Sequence, residues 1–273
     1  MVFGGFQKED SPFVVLGIPL ESDPSFREGA RWGPLEIRKA SNFIEFRSEL
    51  SGKDADEVGF YDVGDLPVLG RDKEKTLDII YHEVRGLDRV PVALGGEHTI
   101  TYALVKATEP DCLLVFDAHL DARDEYLGDK WSHACWLRRL LEETDLRVAV
   151  VGARAYVDEE VEFLKGRALF SKSLKGMLAR YFGNCEKLYV SLDMDYFDPS
   201  AVPGVSNPEP GGASFEDFLD HLAEVARYPL AGFDVVELSP IYDSSGVSAV
   251  YAARAIVEVA TSLRPLSRVL LSP

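Results

Sequence analysis

Short apolar runs recur along the chain, and each has the length of one buried strand. Seven runs of four to six residues are rich in valine, leucine, isoleucine and phenylalanine. Such continuous runs are typical of strands that are covered on both faces of a sheet. The predicted strands are Phe13–Ile18, Val58–Val63, Val90–Leu94, Leu113–Phe116, Leu146–Val151, Leu188–Leu192 and Gly232–Val236.

Amphipathic segments separate these runs, with apolar residues spaced three or four apart, as in helices. Gly33-Pro34 opens the first, and the others are Lys75–Val84, Ile100–Lys106, Cys135–Glu143, Leu174–Tyr181, Phe215–Ala226 and Val250–Leu263. Alternating strands and helices predict an α/β fold with a mostly parallel sheet, whose ligands bind beyond the carboxyl ends of the strands. No linker rich in proline and glycine divides the chain, so we predict one domain over residues 1–273.

Metal-ligand side chains follow the predicted strand Leu113–Phe116, in the sequence Asp117-Ala118-His119-Leu120-Asp121. Because successive side chains alternate across an extended chain, Asp117, His119 and Asp121 point roughly the same way. This arrangement indicates one half of a metal site, although a polar loop with capping carboxylates is the alternative.

A similar pattern follows Leu188–Leu192, where Asp193 and Asp195 stand two residues apart. Clustered carboxylates repel each other and raise each other's pKa values unless a cation lies between them. Asp198, which precedes a proline, is better explained as the start of a turn than as a ligand.

The third piece is Gly95-Gly96-Glu97-His98, which follows the strand Val90–Leu94. The glycines allow the backbone to approach a site closely, and beside two carboxylate groups His98 becomes a candidate ligand. Imidazole and carboxylate without thiolate suit Mn²⁺, Fe²⁺ or Zn²⁺, and four aspartates favour a hard cation. We therefore predict two adjacent divalent ions, bound by His98, Asp117, His119, Asp121, Asp193 and Asp195.

The composition limits the classes of binding partner and the cellular compartment that we expect. A formal net charge of −17 disfavours nucleic acid and anionic membranes and favours cationic ligands. The three cysteines lack CxxC spacing and do not suggest a disulfide framework. The N-terminus lacks the pattern of a signal peptide, so we expect a cytoplasmic protein. One glutamine and three asparagines suggest a thermophilic source.

Motifs along almost the whole chain resemble those of the ureohydrolase family, which includes the arginases and agmatinases. Besides the three metal motifs, they are Gly17-Ile18-Pro19, Gly29-Ala30-Arg31-x-Gly33-Pro34-x-x-Ile37-Arg38, Asp62-x-Gly64-Asp65, Asp198-Pro199, Pro208-x-x-Gly211-Gly212 and Glu237-x-Ser239-Pro240-x-Tyr242-Asp243. The resemblance implies a three-layer α/β/α fold, a pair of Mn²⁺ ions bridged by Asp117 and Asp193, and a trimeric or hexameric assembly.

The resemblance also implies roles for two residues outside the metal motifs. Glu237 is expected to bind a guanidinium group by paired charge-assisted hydrogen bonds, and His133 to protonate the leaving amine after metal-activated water attacks. The candidate catalytic residues are His133, Glu237 and Asp121. The structural alternatives are a histidine satisfied by the backbone at a helix start and a buried glutamate paired with an arginine.

Three local sequences differ from the usual family pattern. The usual Gly-Gly-Asp-His is Gly-Gly-Glu97-His98 here, which leaves the metal ligands intact. Residues 203–208 replace Pro-Gly-Thr-Gly-Thr-Pro, and loss of the second glycine changes the expected loop. His133-Ala134-Cys135 replaces His-Gly, which loosens the assignment of His133, although a Ser-His-Ala-Cys variant is similar to archaeal agmatinase-like sequences.

The segment after the first metal motif favours an amine over an amino acid as substrate. Asp124 and Glu125 would repel an α-carboxylate and attract a terminal ammonium, and agmatinases have a similar sequence here. Arg154 and Glu159-Glu160 are further candidates for the entrance, and a solvated turn is the alternative reading. The predicted substrate-binding residues are Glu237, Asp124, Glu125, His133 and Arg154.

The predicted activity is cleavage of agmatine to putrescine and urea. N1-aminopropylagmatine, which would give spermidine, fits the acidic segment equally well, whereas arginine or a guanidino acid fits less well because no carboxylate anchor is evident. A catalytically silent metal-binding relative is the non-enzyme alternative, and a zinc deacetylase on a related fold is another. About two ions per chain would favour the binuclear hydrolase.

Overall fold

The computed structural model describes residues 1–22, 24–68 and 72–266. Nine strands occur in this part of the chain. They are β1 (Phe13–Ile18), β2 (Tyr61–Asp65), β3 (Val90–Gly95), β4 (Cys112–Phe116), β5 (Arg147–Val151), β6 (Ala168–Ser171), β7 (Leu188–Asp193), β8 (Pro229–Val236) and β9 (Arg264–Pro265).

Nine α-helices connect the strands within the same described residues. They are α1 (Gly33–Ser41), α2 (Ala55–Val58), α3 (Lys73–Arg85), α4 (Ile100–Thr108), α5 (Trp136–Glu143), α6 (Asp158–Leu164), α7 (Leu178–Phe182), α8 (Phe215–Val225) and α9 (Val247–Ser262). Short 3-10 helices add turns at Phe3–Gly5, Ala30–Trp32, His133–Cys135, Met194–Tyr196 and Pro240–Tyr242. No helix in the described ranges is both long and apolar enough to cross a bilayer.

The strands form one sheet in the order β2-β1-β3-β8-β7-β4-β5-β6, with β9 beside β8. Every pairing between them is parallel. All carboxyl ends therefore lie along one edge, and those of β3, β8, β7 and β4 are neighbours at its centre. This is the edge where ligands bind in sheets of this kind.

Alternate strand residues build a separate core on each face of the sheet. In β4, Leu114 and Phe116 belong to the cluster covered by helices such as α1, α8 and α9. Leu113 and Val115 belong to the cluster covered by α3, α4 and α5. The result is the predicted three-layer α/β/α fold, and β1 has the predicted bounds.

Some local predictions were wrong in their bounds or missed an element. The chain at Ala55–Val58 is helical, because the side chain of Asp54 accepts a hydrogen bond from Asp56 N and caps it, so β2 begins only at Tyr61. Edge strand β6 was missed because it has only four residues, is only partly buried, and its apolar run is short. Helix α6 was missed although three acidic residues open it, which is a helix-start signal.

The family motifs near the N-terminus serve the fold. The guanidinium of Arg38, in α1, donates to both carboxylate oxygens of Asp62, in β2, at 2.8 and 2.9 Å, and also to Asp65. These hydrogen bonds raise the pKa of Arg38, although its burial acts in the opposite direction. Since Arg38 and Asp62 are both buried, this bidentate pair fixes α1 against the outer strands.

The cysteines differ from the expectation, because Cys112 and Cys185 form a disulfide. The bond joins the start of β4 to the turn before β7, across 73 residues of sequence. Cys135 is free and buried, and burial raises the pKa of its thiol to about 12. The sequence separation concealed a pairing that the parallel neighbours β4 and β7 make possible.

We predict that this disulfide stabilises the oxidised protein by about 4 kcal/mol, because it closes a long loop in the unfolded chain. Reduction of the wild type should lower the melting temperature by roughly 10 °C. Calorimetry on oxidised and reduced protein measures this change. The double variant Cys112→Ala/Cys185→Ala should not respond to reductant, whereas Cys135→Ala should respond like the wild type. An equal response in all three proteins would contradict the prediction.

Candidate active site

Four neighbouring strands bring the predicted metal ligands and Glu237 together at the carboxyl edge of the sheet. The ligand candidates follow β3, β4 and β7, and Glu237 follows β8. Each predicted ligand is buried or partly buried: His98, Asp117, His119, Asp121, Asp193 and Asp195. The sheet order thus brings together segments as far apart in the sequence as His98 and Glu237, which are separated by 139 residues.

The first ligand group surrounds His98, which is fully buried. Its Nδ1 atom lies 3.2 Å from Asp117 Oδ2, 3.3 Å from Asp121 Oδ2 and 3.2 Å from Asp193 Oδ2. Nδ1 makes no aligned hydrogen bond to any of them. One nitrogen and three carboxylate oxygens therefore converge on one point.

The second ligand group surrounds His119, which is partly exposed. Its Nδ1 atom lies 2.9 Å from Asp195 Oδ2 and 3.5 Å from Asp117 Oδ1. Asp117 thus turns one oxygen toward each histidine. The two groups, His98 with Asp117 and Asp121, and Asp117 with His119 and Asp195, each bring their ligand atoms within 4.8 Å of one another.

Tight turns hold the carboxylates in place. Asp117 Oδ1 accepts from His119 N at 2.6 Å, and Asp193 Oδ1 accepts from Asp195 N at 2.8 Å. Both aspartates thus bind the amide two residues ahead, which is how such side chains stabilise turns. Asp121 Oδ2 accepts from the indole of Trp136 at 3.0 Å. These bonds fix which oxygens face the site.

The charges of this cluster are in conflict unless a cation is present. Burial and the carboxylates of Asp195 and Asp117 raise the pKa of Asp193 well above its ordinary value. Burial opposes protonation of His98, but the surrounding carboxylates outweigh it and raise its pKa. A divalent cation resolves this conflict, because it neutralises the carboxylates and accepts the lone pair of a neutral imidazole. The residues therefore fit metal ions in both groups.

A buried relay behind His98 sets its tautomer. Its Nε2 atom lies 3.0 Å from Ser191 Oγ, and that hydroxyl donates to Asp234 at 2.6 Å. Tyr189 and Thr101 also donate to Asp234. Since the Ser191 proton goes to Asp234, Ser191 accepts the Nε2 proton of His98, which leaves Nδ1 with a lone pair for a metal. This relay was not predicted, although Ser191 stands two residues before Asp193.

Glu237 has an unusual backbone and a buried carboxylate. Its φ of 61° and that of Asp121, 47°, lie in the left-handed region that non-glycine residues rarely adopt. The carboxylate accepts from His98 N at 2.8 Å, and burial raises its pKa. Among the described residues, no arginine or lysine forms an ion pair with it, so the arginine-paired alternative has no support there. Strain of this kind is common at functional sites.

His133 lies at the start of the 3-10 helix that precedes α5. Ser132 accepts from the amide of Ala134 and so begins this turn. The imidazole Nε2 lies 3.3 Å from Ser25 Oγ, which donates to Asn207 Oδ1 at 3.1 Å. His133 is therefore partly exposed and held by side chains, and no backbone group within the described ranges bonds to its imidazole.

Four of the six ligand candidates, together with His133 and Glu237, line one cavity of about 270 Å³. It is lined by Ser25, His119, Asp121, Arg123, Tyr126, His133, Ala134, Ala155, Tyr156, Glu160, Asp193, Asp195, Asn207, Glu209 and Glu237. A larger depression of about 910 Å³ lies near the amino ends of β4 and β5 and contains none of the ligand candidates. We place the site in the smaller cavity, because the ligand candidates and Glu237 converge there.

The acidic wall of the cavity is formed by Glu160 and Glu209. The predicted acidic residues, Asp124 and Glu125, do not contribute to it. Glu160 is buried and accepts from Ala122 N and Val157 N, both at 3.0 Å. Glu209 lies 3.9 Å from His119 Nε2. Glu160 was a minor candidate in the sequence, whereas Glu209 was missed, since it lies at an unspecified position of the Pro208-x-x-Gly211 motif.

Three predicted substrate-binding residues lie elsewhere. Asp124 accepts from Arg139 at 2.9 Å, a bond that lowers its pKa, and Glu125 is exposed. The guanidinium of Arg154 donates to backbone carbonyls, including those of Asp195 at 2.7 Å and Glu209 at 2.8 Å. Arg154 therefore supports the loops that carry two cavity residues, and none of these three lines the cavity.

The fold and the two adjacent ligand groups are those of a binuclear metal hydrolase. The profile of the Arginase family matches residues 11–261, and the chain belongs to this family. The resemblance, the fold class and the assignment to the hydrolases are therefore confirmed.

Two relatives of similar length name the substrates that the sequence left open. An agmatinase of Pyrococcus horikoshii is 37% identical over 243 residues, which cover 85% of each chain. An N(1)-aminopropylagmatine ureohydrolase of Thermococcus kodakarensis is 33% identical over 85% of this chain and 84% of that one. Among solved structures, an agmatine ureohydrolase of Thermoplasma volcanium matches with a TM-score of 0.83 at 33% identity, over 93% of this chain and 90% of that one.

We predict that Ser191→Ala weakens metal binding about 10- to 100-fold, because His98 loses the partner that fixes its tautomer. Competition with a chelator, followed by metal analysis, measures the affinity. Ser200→Ala is the matched control, since that hydroxyl bonds to Asp198 outside the cavity and should leave the affinity unchanged. An unchanged affinity in Ser191→Ala would show that the relay does not act on the metal site.

Proposed function

We propose that this protein hydrolyses agmatine to putrescine and urea. The observation that carries the proposal is the buried carboxylate of Glu237, which faces the same cavity as both ligand groups. Paired charge-assisted hydrogen bonds between a carboxylate and a guanidinium are strong and directional. The cavity therefore combines a guanidinium anchor with groups able to hold divalent ions.

We infer that the resident ions are two Mn²⁺. His98, Asp117, Asp121 and Asp193 would hold one, and Asp117, His119, Asp193 and Asp195 the other. When bound, such a pair supplies Lewis acidity that lowers the pKa of water near a substrate. The mixed imidazole and carboxylate donors, without thiolate, support a hard cation.

The residues around the cavity divide the remaining tasks. Glu237 accepts hydrogen bonds from the guanidinium, and its own position is set by the amide of His98. Burial strengthens this ion pair by removing competing water. Asp121 contributes through the metal centre, and His133 donates a proton to the leaving amine. An imidazole suits this step, because histidine is the side chain that most often serves as a general acid or base.

The charge of the wall favours a substrate that ends in an ammonium. Glu160 and Glu209 line the cavity, and the lining arginine, Arg123, lies 4.0 Å from Glu160. Its guanidinium also lies 5.1 Å from the ring of Tyr126. A substrate carboxylate would meet net negative charge here, whereas an ammonium would be attracted.

N1-aminopropylagmatine is the second candidate substrate, because a relative at 33% identity has that activity in its name. Its additional amine suits the same acidic wall. We also propose a single domain, since the sheet takes strands from Phe13 to Pro265. The trimeric or hexameric assembly, the cytoplasmic location and the thermophilic source remain predictions.

Urea release from agmatine, N1-aminopropylagmatine and arginine, measured in parallel with Mn²⁺-loaded protein, tests the proposed activity. We expect kcat/KM for agmatine to exceed that for arginine by at least about 100-fold, or roughly 3 kcal/mol, because the wall repels an α-carboxylate. Preference for the aminopropyl compound would keep the chemistry and change the substrate. Preference for arginine, or no urea from any compound with two ions bound, would refute the proposal.

A second test separates the cavity wall from the predicted acidic segment. Glu209→Gln should raise KM for agmatine about tenfold, because a carboxylate facing the substrate ammonium is lost. Asp124→Asn should change KM by less than about twofold, since its carboxylate is bound to Arg139 outside the cavity. Steady-state kinetics on both variants measures this difference. A larger rise of KM in Asp124→Asn than in Glu209→Gln would instead indicate that Asp124 contacts the substrate.

A further inference from the structure

Glu97 is a buried acid beside the site that the metal centre does not use. It stands where the family usually has aspartate. Its carboxylate accepts from Ser22 N at 2.7 Å and from Ser22 Oγ at 2.9 Å. Its amide donates to Leu20 O at 2.8 Å. Glu97 therefore fixes the start of the first loop, which we define as the described residues 20–22 and 24–29.

Lys73, at the start of α3, connects Glu97 to a second loop. Its Nζ atom lies 3.9 Å from Glu97 Oε1 and 2.6 Å from Asp129 Oδ2, and its side chain is 10% exposed. Asp129 exchanges two backbone hydrogen bonds with Tyr126, at 3.1 and 3.0 Å. Lys73 therefore anchors the turn within the second loop, which we define as residues 123–132.

Both loops contact His133. The first loop supplies Ser25, whose Oγ lies 3.3 Å from His133 Nε2. The second supplies Tyr126, whose ring meets the imidazole edge-to-face at a centroid distance of 6.1 Å. His133 thus lies between two loops. Glu97 contacts the first loop, Lys73 contacts the second, and the two side chains lie close to each other.

We propose that Glu97 and Lys73 are positioning residues that hold His133 in its productive orientation. The proposal rests on the proposed function, in which His133 donates a proton to the leaving amine. A partly buried charge pair restrains its neighbours more strongly than an exposed pair, because water does not compete for it. A shift of about 1 Å in a reacting group costs up to about 100-fold in rate.

The length of the glutamate side chain is part of this arrangement. Aspartate is shorter by one carbon–carbon bond, roughly 1.5 Å, so its carboxylate would reach Ser22 and Lys73 less closely. The change from the usual aspartate therefore accompanies a longer reach to both loops. Glu97→Asp is accordingly the conservative variant, and Lys73→Arg is its counterpart on the other side.

The first experiment compares Glu97→Gln and Lys73→Met with wild type, using Mn²⁺-loaded full-length protein and agmatine. We expect kcat to fall about 10- to 100-fold while KM changes less than about threefold and the metal content is unchanged. Glu97→Asp and Lys73→Arg should recover part of kcat. Lys75→Met is the matched control, because that lysine is exposed on the same helix and should leave kcat unchanged. Unchanged kcat in both test variants would overturn the proposal.

A double-mutant cycle with His133→Asn tests whether the pair acts through His133. If it does, Glu97→Gln should cost little in the His133→Asn background, whereas independent roles would give additive losses. Additive losses would overturn the proposal.

A measurement without turnover separates this proposal from the proposed function. In imidazole NMR spectra, the His133 signal, assigned by its absence in His133→Asn, should shift or broaden in Lys73→Met but not in Lys75→Met. An unchanged signal would overturn the positioning role even if agmatine is hydrolysed. Absence of urea from wild type, with a displaced His133 signal, would refute the proposed activity and leave the positioning role intact.

Discussion

The buried convergence of carboxylate and imidazole lone pairs on the carboxyl edge of the sheet is the constraint on which the rest of this structure depends. Three aspartate oxygens lie within 3.3 Å of one nitrogen of His98. Such a cluster is costly in a low-dielectric interior unless a cation binds. Metal binding and stability of this region are therefore linked.

The scaffold around this cluster compensates for local strain. Asp121 and Glu237 both have left-handed backbones, yet each is tied into the neighbouring structure. The carbonyl of Asp121 accepts from Leu137 N at 3.1 Å, in α5, and the amide of Glu237 donates to Gly96 O at 2.8 Å, after β3. A rare conformation persists only where the surrounding structure overdetermines it. These bonds let a metal-ligand candidate and the guanidinium anchor point into one cavity.

Some charged side chains are paired within the structure, whereas others are available to a ligand. Asp62 and Asp124 are bound by Arg38 and Arg139, so they add little attraction for a substrate. Arg154 is similarly occupied by backbone carbonyls. By contrast, Glu209 and Glu237 line the cavity. Pairing of Asp62, Asp124 and Arg154 thus leaves the carboxylates that line the cavity as the charges a substrate meets there.

Local pattern in the sequence determined most strands, most helices and the metal-ligand motifs. Apolar runs bury strands such as β1, and the close spacing of Asp117, His119 and Asp121 after a buried strand keeps these side chains near the carboxyl end of β4. The sequence pattern did not determine which side chains pair with each other in the folded protein. Only the folded sheet placed Glu209 in the cavity and Asp124 beside Arg139, and only it paired Cys112 with Cys185. The physical reason is that charge pairing and covalent pairing depend on distances between residues remote in sequence, which the order of the parallel strands decides.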